Sequence, residues 1–426
     1  MEIIGIDLGT TSICGVVIDT ESGKVIKSRT ENSDAFIKTE NEWEKIQSAE
    51  KIIALATEIL DSFISEKTVS IGVTGQMHGI VYIDNNGKAV SPLYTWQDGR
   101  GDLPYKNGKT YAGYLGSNTG YGLVTDFYNR ENGLVPKDAE TFCTIHDYFA
   151  MSVCGRKKPL VHISDAASFG MFEPESRKFK VDVPFEFTDD FALCGEYKNI
   201  PVSVAIGDNQ ASVFSAIGET DILLNYGTGS QISIISDSVI EGENIEARPY
   251  FDGKYLLVGA ALCGGRAFAV LKDFYKNLLS FKGDITDGEV YAIMDKMLLS
   301  AKESGLKADT RFSGTRADES IKGSFTGVST ENFTPENLTY AVVEGMVDEL
   351  FSMYGEMNNE KDGIVGSGNA LRKNPTLIKI AEERFGKNMK IPAHTEEAAV
   401  GAALFGGIAA KVFKNTQEAQ KLIKYN

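Results

Sequence analysis

The period of apolar and polar positions changes several times along the chain, and each change marks an element. Ile3-Ile4-Gly5-Ile6 is a short β-prone run, followed by the polar, glycine-containing segment Asp7-Leu8-Gly9-Thr10-Thr11-Ser12 and a second apolar run, Val16-Val17-Ile18. This predicts strand, tight turn, strand. From Glu44 to Phe63, Ile46, Ile52, Ile53, Leu55, Ala56, Ile59, Leu60 and Phe63 recur at helical spacing, which predicts a long amphipathic helix packed on a sheet. Val69–Val73 then reads as a buried strand delivering Thr74-Gly75-Gln76-Met77-His78-Gly79 at its carboxyl end. Ligand loops of open α/β sheets lie at such ends.

The chain partly repeats itself. Ile222-Leu223-Leu224-Asn225-Tyr226-Gly227-Thr228-Gly229-Ser230, followed by Ile232–Ile235, mirrors the first hairpin, with Asp7 aligned to Asn225 and Gly9-Thr10 to Gly227-Thr228. Two such hairpins, each opening half of the chain, predict duplicated α/β domains, unless the match is a chance pairing of glycine turns. Between them, Leu93 to Ser168 and the acidic stretch Phe172 to Lys198 show no long amphipathic pattern and read as insertions on the first sheet. Val202–Ile206 predicts a strand ending at Gly207-Asp208-Asn209-Gln210, where a helix starts. Tyr340 to Met353 is helical in pattern. Gly363-Ile364-Val365 feeds Gly366-Ser367-Gly368, followed by helical spacing from Pro375 to Phe385, a strand, loop and helix suited to a nucleotide. Ala398 to Ala410, rich in Ala and Gly, predicts a buried, closely packed helix too short to span a bilayer.

Length and composition narrow the class. At 426 residues the chain calls for two domains, and 42% hydrophobic with 24% charged residues excludes disorder and a disulfide miniature. Lys plus Arg number 43 against 59 Asp plus Glu, so the net charge of −16 disfavours nucleic acid and membrane surfaces as partners. Five scattered cysteines, an odd number without a C-x-x-C pair, indicate neither a zinc ribbon nor a disulfide framework. With no signal-like N-terminus, a cytoplasmic location is expected.

The candidate chemistry is that of ATP and Mg²⁺. Phosphoryl transfer needs amides and hydroxyls around the β- and γ-phosphates, a carboxylate for the metal and a base for the acceptor hydroxyl. Glycines at 9 and 227 let backbone N–H groups approach phosphate, and Thr10, Thr11, Ser12, Thr228 and Ser230 add hydroxyls. No P-loop lysine motif is present. Asp7, at the end of the first strand, is placed to organise hydrated Mg²⁺, or else is a turn-forming Asp.

These segments resemble, in order and over essentially the whole chain, the FGGY carbohydrate kinases of the actin-like ATPase superfamily. The shared segments are Asp7–Thr11, Gly75–Gly79, Trp96–Arg100, Gly207–Ala211, Gly227–Ser230, Gly366–Gly368 and Glu397–Ala403. The resemblance implies an α/β fold of two duplicated actin-like (ribonuclease H-like) domains facing a central cleft, with residues 1–217 carrying the sugar side and base and 218–426 the nucleotide side. It implies that Asp208 is the general base, the competing reading being a helix N-cap. It implies a ketose site from Gln76, Met77, His78, Trp96, Asp98, Arg100, Asp208 and Asn209, although Trp96 is also readable as a core aromatic and His78 as a structural histidine. It further implies that Thr10, Thr11, Ser12, Gly227 and Thr228 bind phosphate, and that adenine and ribose lie on Gly366-Ser367-Gly368 with Ala398–Ala403 packed beneath.

Within the family, Thr95–Arg100, Thr144–Tyr148 and Ser164–Ser168 are most similar to the sedoheptulose-phosphorylating branch, and Gln76-Met77-His78 also to the xylulose-phosphorylating branch. Two departures stand out: His146 lies where a lysine-containing segment is commoner, and Gly229 where many members have serine. The expected partners are a small sugar and ATP, with the protein a monomer or homodimer. An actin-like nucleotide switch or filament protein, and a catalytically dead sugar sensor, are the competing classes.

Overall fold

The first hairpin pairs Glu2–Leu8 with Ser12–Asp19 antiparallel, the turn falling on Gly9-Thr10-Thr11. In the computed structural model, which describes every residue except 302, 303, 316, 317 and 319, this hairpin sits inside a six-stranded sheet. The order is Leu193–Tyr197, Ile200–Gly207, Thr68–Gly75, Glu2–Leu8, Ser12–Asp19, Val25–Asn32. Three of its four inner strands, Ile200–Gly207, Thr68–Gly75 and Glu2–Leu8, run parallel. They read as nearly continuous apolar runs because both faces are covered. Helix Ala49–Phe63 covers one face, starting later than Glu44 because Ser48 caps it and Ile46–Gln47 pairs as a short strand.

The other face carries the small-residue helix Glu397–Ala409, almost wholly buried. A methyl group on Gly5 would overlap the carbonyl of Ala399, one on Gly72 that of Ala402, and one on Gly401 that of Ala211 in helix Asp208–Ala216. Helix and strands thus meet backbone to backbone, an approach that side chains on these glycines would prevent. The expectation that Ala398–Ala403 packs beneath Gly366–Gly368 is therefore corrected: this helix belongs to the first unit, under the first sheet. The first compact unit comprises Met1–Gly218, Arg248–Tyr255 and His394–Lys424; the second comprises Glu219–Ala247, Leu256–Ala393 and Tyr425–Asn426.

In the second unit, Asp221–Tyr226 pairs antiparallel with Ser230–Ser236 and parallel with Gly363–Ser367. The same hairpin-plus-parallel-strand arrangement recurs: Asp7 stands opposite Thr74 in the first sheet and Asn225 opposite Ser367 in the second. The second sheet also has six strands, ordered Ile245–Pro249, Tyr255–Ala261, Ser230–Ser236, Asp221–Tyr226, Gly363–Ser367, Met389–Lys390. Helices Gly264–Ser280, Asp287–Ser300, Pro335–Met357 and Pro375–Phe385 build its core. Among the described residues no helix is long and apolar enough to cross a membrane, and all five cysteines are free.

Candidate active site

Three parallel strands of the first sheet end in register. Leu8 pairs with Gly75, and Gly75 pairs with Gly207. Each strand therefore releases its loop at one edge: Gly9–Thr11 from the first, Gln76–His78 from the second, and Asp208-Asn209 from the third. Asp208 opens helix Asp208–Ala216, but Gly207 occupies the N-cap position and no side chain caps the helix. The N-cap reading of Asp208 therefore does not hold. The Met77 thioether packs against Gly207, where a Cβ would stand 2.7 Å from its sulfur.

The first turn is joined to the neighbouring loops by side chains. Trp96 Nε1 donates to Thr10 Oγ1 at 3.0 Å, and Thr10 Oγ1 donates to Gln76 Oε1 at 3.4 Å. Gln76 Nε2 donates to Gln47 Oε1 at 3.0 Å, and Gln47 Nε2 returns to the carbonyl of Thr10 at 2.6 Å. Trp96 is 46% exposed, so its indole presents an open wall and is not a core aromatic. His78 has left-handed backbone, φ 73°, and its ring stacks on Tyr121 at 4.4 Å. His78 Nδ1 lies 2.9 Å from the carbonyl of Ser168, which can only accept, so Nδ1 carries the hydrogen.

Asp98 and Arg100 form a closed ion pair. Both are buried, and the Arg100 guanidinium donates Nε to Asp98 Oδ1 at 2.6 Å and Nη2 to Asp98 Oδ2 at 3.1 Å. Its face stands 4.3 Å from the ring centre of Tyr94, with Trp43 and Tyr128 also around it, and Nη1 donates to Asn129. Asp98 additionally accepts from the amides of Lys45 and Arg100. Every oxygen of Asp98 is thus engaged inside the protein. The pair anchors the loop that carries Trp96.

Carboxylates dominate the electrostatics of this edge. Burial pushes Asp7 up to about 7, with the charge of Asp208 adding and that of His146 opposing. Asp208 is raised to about 6, again chiefly by burial, with His146 and Arg248 pulling it back and Asp165 adding. Arg248 reaches Asn209, donating to Oδ1 at 3.1 Å. His146 is wholly buried; burial alone would lower its imidazole, but Asp165 first, then Asp147 and Asp208, carry it up to about 9. Its Nε2 lies 3.0 Å from Asp165 Oδ2, a carboxylate that favours the protonated ring.

In the second unit the turn Gly227–Gly229 receives the start of helix Gly264–Ser280. Gly265 N donates to Gly227 O and Arg266 N to Thr228 O, both at 2.9 Å. Gly227 and Thr228 remain exposed at the tip. A Cβ on Gly229 would stand 2.9 Å from the carbonyl of Ala261, which accounts for glycine at this position. Gly368 has φ 88° and lies against the backbone of Tyr226, and Asn369 starts the following helix. Ser367 is buried in strand Gly363–Ser367. Beside this loop a pocket of about 450 Å³ is lined by Gly265, Phe268, Tyr291, Val343, Asn369 and Asn374, among others. Phe268 and Tyr291 stack within it at 6.0 Å.

Residues 2–189 match the model of the FGGY family of carbohydrate kinases, N-terminal domain, and residues 223–410 match that of the C-terminal domain. The chain belongs to the FGGY family of carbohydrate kinases. It is a sugar kinase. The human sedoheptulokinase is 29% identical over 94% of this chain and 96% of its own length. A xylulose kinase of Staphylococcus epidermidis is 24% identical, covering 97% of this chain and 89% of its own. The xylulose kinase structure from Rhodospirillum rubrum superposes with a TM-score of 0.85 at 17% identity, over 100% of this chain and 93% of that one, and shows the same two-domain α/β fold.

In this FGGY kinase the structure brings the predicted residues Asp7, Thr10, Gln76, Met77, Trp96, Asp208 and Asn209 to one sheet edge, with His78 beside them on Ser168. Thr11 is exposed and its carbonyl accepts from Ser33 N, and Ser12 opens the next strand. Three features escaped the sequence reading: the His146–Asp165 pair, Arg248 on Asn209, and the Phe268–Tyr291 pocket. The polar segments Thr144–Tyr148 and Ser164–Ser168 carried the only signal for the first. Nothing in the sequence marked the other two, whose residues come from separate segments.

Proposed function

We propose that this FGGY kinase transfers the γ-phosphate of ATP to a hydroxyl of a ketose, with sedoheptulose as acceptor and sedoheptulose 7-phosphate as product. The alignment of the three strand ends carries the reading, because a partly exposed carboxylate, Asp208, leaves the same sheet edge as Gln76, Met77 and the Gly9–Thr11 turn that Trp96 hydrogen-bonds. Asp208 accepts the proton of the attacking hydroxyl, and Asn209, Gln76 and His78 orient the sugar. An aspartate raised to about 6 is ionised at neutral pH yet closer in proton affinity to the hydroxyl it serves than an ordinary one.

The residues fit a hydrated Mg²⁺. Asp7 Oδ1 is buried without a hydrogen-bond partner among the described residues, and no group of three or more metal-ligating side chains forms a direct cage there. Asp7 would hold the ion through water, and the ion would neutralise charge on the phosphates. We assign Gly227 and Thr228, with Thr10, Thr11 and Ser12, to the phosphates by their amides and hydroxyls. Gly366-Ser367-Gly368 and the adjoining apolar pocket would take ribose and adenine, the stacked rings of Phe268 and Tyr291 suiting a flat base.

Sedoheptulose is favoured by the full-length similarity to the human sedoheptulokinase. Xylulose is the second reading, supported by the similarity to the staphylococcal xylulose kinase. The test is ADP release with Mg-ATP and a panel of sedoheptulose, D-xylulose, D-ribulose, gluconate and glycerol. A kcat/KM at least tenfold higher for sedoheptulose than for D-xylulose supports the proposal. The reverse order assigns the enzyme to xylulose, and no stimulation by any of them rejects the ketose-kinase reading.

A further inference from the structure

His146 and Asp165 are both wholly buried, come from different helices, and meet at 3.0 Å through Nε2 and Oδ2. The His146 ring lies against Gly75, where a Cβ would stand 3.0 Å from Nδ1, so the strand end that precedes Gln76 has room for this imidazole only because it is glycine. Asp165 belongs to the short turn Ile163–Ala166, and the preceding residue holds the turn bearing Asp208. Gly207 N donates to Ser164 Oγ at 3.0 Å, and Ser164 Oγ lies 2.8 Å from His162 Nδ1. Two consecutive residues, Ser164 and Asp165, thus fasten one turn to the backbone before Asp208 and to His146.

The charged groups facing His146 are Asp147 on its own helix, Asp165 on the short turn and Asp208 at the start of its helix; its charge also acts on Asp7 in the first strand. Arg248, opposite Asn209, is the second cation acting on Asp208. We propose that the His146–Asp165 pair is a positioning element of Asp208: Asp165 fixes the buried His146 against Gly75 while the adjoining Ser164 holds Gly207, so that the imidazolium presents its positive charge at the strand ends from which Gln76 and Asp208 emerge. Neither residue touches the substrate in this role. The inference rests on the reading of Asp208 as the base.

The test combines kinetics with a measurement that does not need turnover. Steady-state rates with Mg-ATP and the acceptor identified by the sugar panel are taken for the wild type, His146→Gln, His146→Lys and Asp165→Asn, with the melting temperature of each. His146→Gln is expected to lose roughly 10- to 100-fold in kcat, the effect of removing one close opposite charge, with KM for ATP within threefold. His146→Lys restores the charge and recovers at least tenfold of that loss. Should His146→Gln fail to fold, Asp165→Asn carries the same expectation of reduced kcat. Side-chain ¹⁵N spectra of the folded wild type, with only four histidines to separate, are expected to show an imidazolium at neutral pH that disappears in the His146 variants.

A folded His146→Gln enzyme with kcat within threefold of wild type overturns the inference. So does a His146→Lys enzyme no faster than His146→Gln, or a neutral His146 in the wild-type spectrum. A wild type that phosphorylates no sugar removes the reading of Asp208 itself, and is thereby distinguished from failure of the pair in an active enzyme.

Discussion

The indole N–H of Trp96 donates to the hydroxyl of Thr10 at 3.0 Å across 86 residues of sequence. Thr10 lies in the turn assigned to phosphate, and Trp96 in the loop assigned to the sugar. A side-chain hydrogen bond of this kind is worth about 1 kcal/mol. Trp96→Phe keeps the ring and removes the donor, so the KM for sugar is expected to rise roughly fivefold. Thr10→Val removes the acceptor. The double variant is expected to be less impaired than the two single changes added together, with a coupling of about 1 kcal/mol. Strict additivity in kcat/KM would show that the bond has no part in the site.

The raised carboxylates give the reaction a defined pH dependence. A base must be ionised, and Asp208 is raised to about 6, so kcat/KM for the sugar is expected to fall as pH drops through about 6. Stability runs the other way. Asp7 and Asp208 bind protons more tightly folded than unfolded, so their contribution declines as pH rises from the ordinary carboxylate range through about 6 and about 7. His146, raised to about 9, contributes fully below its ordinary value and loses that contribution as pH rises through about 9. Asp208→Asn is therefore expected to raise the melting temperature at pH 8 while it reduces turnover. Thermal unfolding of both proteins at pH 5 and pH 8 checks the sign: a variant less stable than wild type at pH 8 would contradict it.

Gly72 lies against the carbonyl of Ala402, backbone on backbone, with no flexible side chain able to move aside. Gly72→Ala is expected to cost more than the roughly 1–3 kcal/mol usual for an overpacked core. Denaturant unfolding measures it. A loss below about 1 kcal/mol would mean that the helix Glu397–Ala409 does not hold the sheet this closely.

Arg100 is boxed by Asp98, Asn129 and three aromatic rings. Removing the cation leaves Asp98 buried without its partner, a change that costs about 3–5 kcal/mol. Arg100→Leu is thus expected to lower stability first. An Arg100→Leu protein with wild-type unfolding and a sugar KM raised at least tenfold would return Arg100 to the substrate.

The hairpins, the central strands and the position of Asp208 were legible because apolar runs ending in glycine and aspartate are local signals, written within ten residues. Asp98 and Arg100 read as sugar contacts for the same reason, since a forked donor beside a carboxylate looks alike from sequence whether it faces solvent or lies inside. What seals them, Trp43, Tyr94 and Tyr128, comes from three segments and has no sequence signature. The His146–Asp165 pair is equally non-local: each residue alone reads as a polar position in a short helix. The helix Glu397–Ala409 was legible as buried and close-packed, but its partner was not. Small residues state that something approaches, and only Gly5 and Gly72, nearly four hundred and more than three hundred positions upstream, identify what.

The sharpest test of Asp208 as the base is the rate of ADP release by wild type and Asp208→Asn, each with Mg-ATP, with and without sedoheptulose or D-xylulose. Sugar is expected to stimulate the wild type, and the variant to lose about 10²- to 10⁴-fold of that stimulated rate while still binding nucleotide. A variant that keeps its sugar-stimulated rate within threefold of wild type would contradict the assignment of Asp208 and the chemistry built on it.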